Sequence, residues 1–405
     1  MPDSSLPDAS WWEDASALRR FVADLLAAEL ALARPGRPPL APPWPDALDL
    51  ARDVGADSLE LMGMSTALAE ALHMEKGSAD APLLSAPRLA HWLAAAAASL
   101  RADGGRLTFR TSGSSGSPKP CTHALATLWQ EIHTLADLLP GRRRILSAVP
   151  SHHIYGFLFT VLLPRRLGIG DVVDLRAAGP AALAGMLRPG DLVVAHPGWW
   201  EAVARLAPAF PADVVGVTST APCPDALADT LAAAGLRLLQ VYGSSETAGV
   251  GWRTGGGAPF ALLPYWSRTD DAAQLARALP DGSTARYSLQ DKLAWDDAGR
   301  FLPAGRIDAA VQVGGTNVFP AYVADVLAMH PSVAQASVRL MRPDEGVRLK
   351  AFVVLREGLS TSPEALLDWC AQRLSVPERP AAVTFGGRLP RQASGKPADW
   401  IIDAQ

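Results

Sequence analysis

From Leu107 onward, short apolar runs (ILSAVP, DLVVAHP, VVGVTST and LRLLQVYG) alternate with alanine-rich stretches of helical pattern at 181–187 and 224–234. This alternation is the strongest constraint on the fold. Runs that short, each separated from the next by a helical stretch, predict an α/β domain built on a sheet. After Gly305-Arg306 a smaller α/β unit follows, made of VQVGGTNV, a helix over 321–329, VAQASVRLM, LKAFVVL and a helix over 363–374. The fold class expected is therefore α/β, with a large domain over 104–306 and a small C-terminal α+β domain over 307–405.

The first hundred residues differ in texture. Leu18, Phe21, Val22, Leu25, Leu26 and Leu30 recur at helical spacing and lead into the proline-rich loop RPGRPPLAPPWP. Asp57-Ser58, good capping residues, precede a second helical pattern from Leu59 to Leu72. A third runs over 87–100, and Arg101-Ala-Asp-Gly-Gly105 reads as a linker. Residues 1–100 hold 14 Asp and Glu against 7 Lys and Arg, so residues 1–103 are expected to be a small, acidic helical region of their own.

Several function classes are excluded at this level. Cys121, Cys223 and Cys370 are far apart and lack metal-ligand spacing, which argues against a disulfide framework or structural zinc. A net charge of −4 gives no electrostatic footprint for nucleic acid. The longest apolar stretches are about half the ~20 residues a membrane-spanning helix needs. The acidic, polar start MPDSSLPDASWWEDAS is unlike a secretory signal, so the cytoplasm is the expected compartment.

Four motifs carry chemistry. The first is the hydroxyl- and glycine-rich run Thr111-Ser112-Gly113-Ser114-Ser115-Gly116-Ser117-Pro118-Lys119, directly after the apolar run at 107–109. Glycines let backbone N–H groups converge on phosphate oxygens, hydroxyls donate to them and a lysine adds charge, so the run suits a polyphosphate; its alternative is a flexible linker. It is not a Walker loop, because Gly113 and Gly116 are too close together and Pro118 stands where the second glycine belongs. The second is Tyr242-Gly243-Ser244-Ser245-Glu246, again ending an apolar run; an aromatic, a glycine turn, hydroxyls and a carboxylate suit a base, a phosphate and Mg2+, or simply a solvated turn. The third is Gly305-Arg306-Ile307-Asp308 with Gly314-Gly315, and the fourth is LPRQASGK ending at Lys396. Each of the last two alone also fits a capping or surface turn.

In sequence and in chain order these four motifs resemble the core motifs of the ANL superfamily of adenylate-forming enzymes, over about residues 107–400. The resemblance implies ATP, Mg2+ and CoA or phosphopantetheine as cofactors, and a large domain followed by a small mobile one. It implies that Thr111 to Lys119 bind the ATP phosphates, that Tyr242 stacks on adenine, that Ser245 meets the α-phosphate and that Glu246 holds Mg2+. Asp291 in SLQD, where the family usually has YxTGD, stands at the ribose-binding aspartate, joined by Arg306. Lys396 matches the lysine that bridges carboxylate and α-phosphate, Asp308 the hinge, and Gly314-Gly315 the pair brought to the thiol tunnel. SHHIYGF, with His153, resembles the motif lining the acyl pocket and the thiol approach. Against the family pattern, the region before the phosphate loop is short and mostly helical.

A second resemblance lies at Asp53-Val-Gly-Ala-Asp-Ser58-Leu, which is similar to the phosphopantetheine attachment site of acyl carrier proteins; Ser58 is thus either a carrier serine or a helix cap. HHIYGFLFTVLLP and the compact chain look like the AMP-ligases of aryl polyene and xanthomonadin-type pathways, implying a hydroxybenzoate-like acid and transfer to CoA or an acyl carrier protein. A fatty-acyl ligase, an amino-acid adenylation domain and a catalytically silent carrier-like module remain as alternatives.

Overall fold

The computed structural model describes residues 10–34, 40–74, 80–111, 119–207, 209–307, 310–390 and 398–402. Ser112, Gly113, Ser114, Ser115, Gly116, Asp308 and Lys396 lie outside the described residues. Packing divides the chain into two compact units at Gly305–Arg306.

The first unit opens with helices α1 (Ala15–Ala33), α2 (Ser58–Leu72), α3 (Asp80–Ser85) and α4 (Leu89–Ala102). Asp57, not Ser58, caps α2: its side chain accepts from the Leu59 and Glu60 amides, and Glu60 reaches back to complete a capping box. Strands β1 (Arg106–Thr111) and β2 (Lys119–Ala124) form a two-stranded sheet flanking 112–118, and α5 (Leu125–Leu138) follows.

Next come β3 (Arg144–Ser147), α6 (Ile154–Phe157), a π-turn at Leu158–Leu162 and α7 (Leu163–Leu167). Then follow β4 (Val172–Asp174), α8 (Leu183–Met186), β5 (Asp191–Ala195), α9 (Pro197–Arg205), β6 (Val215–Thr218), α10 (Asp225–Ala233), β7 (Arg237–Ser244), β8 (Ala248–Thr254) and β9 (Ala261–Leu262). A seven-stranded sheet of order β4-β3-β5-β6-β7-β8-β9 results. Its first five strands are parallel and its last two antiparallel.

Both faces of the parallel part are covered, which is why β5 is apolar after its first residue, Asp191, and is buried at every residue. Leu192 and Val194 of β5 turn to one side and Val193 and Ala195 to the other. On the first side, one hydrophobic cluster joins Trp11, Phe21 and Leu26 to Phe109, Phe157, Val217 and Leu239. The N-terminal helices therefore share a core with the sheet rather than forming a bundle apart from it, and no packing boundary falls at residue 103.

The unit ends in two small sheets. One holds β10 (Trp266–Arg268), β11 (Gln274–Ala278) and β12 (Thr284–Ser288); the other holds β13 (Asp291–Trp295) and β14 (Phe301–Arg306).

In the second unit, β15 (Val311–Val313) and β16 (Thr316–Val318) make a hairpin whose turn is Gly314-Gly315. Positive φ at both turn residues (57° and 84°) is the mirror-image turn that suits strand twist and that glycine adopts without strain. Helix α11 (Pro320–Ala328) and α12 (Pro363–Ala371) accompany a sheet of β17 (Val333–Leu340), β18 (Leu349–Leu355) and β19 (Pro380–Phe385) over their own core.

Candidate active site

Parallel strands end together, so the loops after β3, β5, β6 and β7 leave one edge of the sheet. The strand order reverses at β3, with β4 outside it and β5 inside, and the crevice at such a reversal is where open α/β sheets bind ligands. Ser151-His152-His153 follows β3 there, and Tyr155 donates across the gap from β3's connection to the Ala195 carbonyl ending β5, at 3.1 Å. The two histidine rings lie 4.1 Å apart. His153 is exposed to solvent, and desolvation by the surrounding protein lowers its pKa against the pull of Asp24. His152 is held well below the ordinary value by desolvation and then by its neighbour His153.

Tyr242 to Gly249, two strands away, forms a turn gripped at nearly every residue. The Tyr242 hydroxyl donates to Asp291 Oδ2 at 2.8 Å, so the aromatic and the aspartate that stand in SLQD come together. His123 Nε2 lies 2.6 Å from the Ser245 carbonyl, which accepts, so this nitrogen carries the proton. Arg277 Nη1 donates to the Thr247 carbonyl at 3.2 Å, and Trp266 Nε1 to the Gly249 carbonyl at 2.8 Å. The Gly249 amide donates to both oxygens of Glu131, at 2.9 and 3.0 Å. Ser244 and Thr247 close the turn through their hydroxyls.

Glu246 stands half-buried in the middle of this rigid turn. A single carboxylate in that position fits Mg2+, which takes one or two carboxylates and leaves its other positions to phosphate and water. Lys119, exposed, begins β2, and half-buried Arg306 ends β14. Thr111 ends β1. Exposed Ser58 opens α2.

Sequence reasoning missed the buried supports of this turn. Glu131 and Arg277 are both fully buried. Burial pushes Glu131 up to about 7, against the pull of Arg277 and the Gly249 amide. Arg277 is further held by the Thr127 carbonyl at 2.7 Å and by the Tyr265 ring, 4.3 Å from its guanidinium carbon. One signal was available: Glu131 interrupts the apolar stripe Leu128, Ile132, Leu135 of α5, and a carboxylate on a buried face needs a partner.

Gly249 has no room for a side chain, because a Cβ there would lie 2.4 Å from Glu131 Oε1. Gly249→Ala is expected to cost about 1–3 kcal/mol of stability by thermal unfolding. A variant as stable as the wild type would show that the Glu131 contact is slack.

In the second unit, the stems on either side of 391–397 are tied down. The Ala398 amide donates to the Pro390 carbonyl at 3.0 Å. Fully buried Lys350 on β18 donates to the Trp400 carbonyl and to Glu345, both at 2.6 Å, and pairs with Asp399 at 3.0 Å.

A parallel sheet with a gripped acidic turn at its carboxyl edge, followed by a separate small unit, is the build of an adenylate-forming enzyme. The family model for AMP-binding enzyme matches residues 107–323, and that for the AMP-binding enzyme C-terminal domain matches residues 322–396. The chain belongs to this family, the AMP-forming acyl-CoA ligases. It is 40% identical to a 4-coumarate–CoA ligase of Cereibacter sphaeroides over 88% of this chain and 87% of that one. A 4-coumarate–CoA ligase of Rhodobacter capsulatus is 38% identical, over 95% of this chain and all (100%) of its own. Among solved structures, an amide bond synthetase from Marinactinospora thermotolerans shares the fold with a TM-score of 0.62 at 19% identity, covering 94% of this chain and 92% of that one. No described helix is long and apolar enough to cross a membrane.

Proposed function

We propose that this protein activates an aryl carboxylic acid with ATP as the acyl-adenylate and passes the acyl group to the thiol of CoA. Tyr242 and Asp291 hold adenine and ribose, the 111–119 run and Lys119 hold the phosphates, and Glu246 holds Mg2+, which neutralises phosphate charge when bound. Ser245 meets the α-phosphate and Arg306 the ribose side. Lys396 bridges the carboxylate and the α-phosphate in the first step; after rotation about Asp308, His153 and Gly314-Gly315 face the thiol in the second. The domain limit at 306 and these residue roles are part of the proposal.

The observation that carries it is the rigid turn presenting Glu246 beside the hydrogen-bonded Tyr242–Asp291 pair, in a chain alike over nearly its whole length to ligases named for 4-coumarate. That likeness favours a hydroxycinnamate over the smaller hydroxybenzoate. Pyrophosphate exchange into ATP, run with hydroxycinnamates, hydroxybenzoates, fatty acids and amino acids, tests the reading. Exchange only with fatty or amino acids would refute the aryl part, and exchange with none would refute the whole.

CoA and a carrier-protein thiol are told apart by supplying each to the preformed adenylate. Ser58 remains a candidate attachment residue because it is exposed at the head of α2. An unchanged intact mass after treatment with a phosphopantetheinyl transferase and CoA would remove it.

A further inference from the structure

Helix α1 carries an acidic residue on its buried face. Asp24 is 2% exposed, between the buried Phe21, Val22 and Leu25, where an unpaired carboxylate would be costly. Its Oδ2 accepts from both donors of Ser151, the amide at 2.6 Å and the hydroxyl at 2.7 Å. Its Oδ1 accepts from Arg176 at 2.7 Å, and Arg176 is paired in turn with Asp174 at the end of β4. Arg20, one helical turn earlier on the same face, donates to the Thr160 carbonyl at 3.0 Å. Two side chains of α1 thus hold both ends of the segment 151–160, which begins with the histidine pair.

Ser151 is itself fully buried, so its two bonds to Asp24 fix the backbone from which His152 and then solvent-facing His153 project. Glu29, five residues further along α1, pairs with Arg110 at 2.9 Å, and Arg110 precedes the last residue of β1. The two acidic residues of the N-terminal helix thus tie it to the segment after β3 and to strand β1.

We propose that Asp24 is a positioning residue for the acyl and thiol steps: its hold on Ser151 sets where His152 and His153 stand at the crevice between β3 and β5. The proposal rests on the function given above.

The test uses the full-length chain with Asp24→Leu, which removes the acceptor, and Asp24→Asn, whose amide oxygen still accepts from Ser151. Three quantities are read: KM for the acid and KM for ATP in the exchange reaction, and the rate of thioester formation from preformed acyl-adenylate. Asp24→Leu is expected to raise the acid KM about tenfold and slow thioester formation about tenfold, leaving the ATP KM within about twofold, since displacement of a positioned group by about 1 Å is enough for losses of this size. Asp24→Asn is expected to recover most of both.

Equal losses in all three quantities, in step with a falling folded fraction, would overturn the proposal, as would an Asn variant no better than Leu. If Asp24→Leu does not fold, Ser151→Ala, which removes one of the two bonds, should raise the acid KM about threefold, and an unchanged KM overturns the proposal. A wild type that exchanges with no acid removes the function and the proposal with it; a wild type that exchanges beside an unaffected Asp24→Leu removes the proposal alone.

Discussion

Lys396→Ala is expected to slow adenylate formation by about two to three orders of magnitude while leaving thioester formation from preformed acyl-adenylate within a few-fold of the wild type. When a carboxylate oxygen attacks the α-phosphorus, negative charge gathers on the phosphoryl oxygens and pyrophosphate departs. A localised ammonium between the two reacting anions stabilises that state far more than the ground state. In the second step the thiol attacks the acyl carbon and AMP leaves with the electron pair of the broken acyl–oxygen bond; nothing attacks phosphorus, so no ammonium is required between a carboxylate and the α-phosphate. Lys396→Arg should rescue poorly, because a planar fork presents its charge over a wider area than an ammonium.

The stems flanking 391–397 are held by the Pro390–Ala398 hydrogen bond and by buried Lys350, so truncating Lys396 should leave the thermal midpoint unchanged. Exchange at the wild-type rate in Lys396→Ala would end the proposed role. Equal losses in both half-reactions would point to a defect in the whole small unit instead.

How much of this was legible in the sequence depends on the distance over which each feature acts. The parallel strands were readable because burial on both faces leaves the interiors of β5 and β6 apolar, with Asp191 and Thr218 only at their ends. Helices α1, α2 and α11 announced themselves by local spacing and caps, and their ends fall within two residues of expectation. The sheets of β10 to β14 were missed: their strands are short, and TARYS and DKLAW are half-buried or exposed throughout, so their side chains give no apolar face to read.

The N-terminal region was read as a unit of its own because its acidity and helicity are local properties. What ties it to the sheet is not local: Asp24 meets Arg176 and Glu29 meets Arg110, partners 152 and 81 residues away. The site divides in the same way. Tyr242, Glu246 and Asp291 lie in motifs with recognisable composition. His123, Glu131 and Arg277, which fix the turn, reach it from elements more than a hundred residues off or from a strand that carries no motif, and only folding brings them together.

Glu131→Gln should change how stability depends on pH, and the sign is fixed by the direction of the shift. Burial raises this carboxyl from its ordinary 4.5 to about 7. Between those values the unfolded chain has lost the proton and the native protein retains it. The group's contribution to stability is therefore complete below pH 4.5, declines as pH rises, and levels off above about 7. The glutamine variant has no proton to lose, so relative to the wild type it should gain on the order of 3 kcal/mol between pH 4.5 and 7.5, and nothing further above that. Denaturant unfolding of both proteins at intervals across this range measures the difference.

A constant offset is expected as well, set by the amide that replaces the carboxyl: its oxygen still accepts from the Gly249 amide, while its N–H donors need partners in a fully buried site. Offset and slope separate the two effects, because only the carboxyl's change of charge depends on pH. Parallel stability curves would mean that Glu131 is ionised at all these pH values, and that the Gly249 amide and Arg277 outweigh burial in setting the charge beneath the turn that carries Glu246.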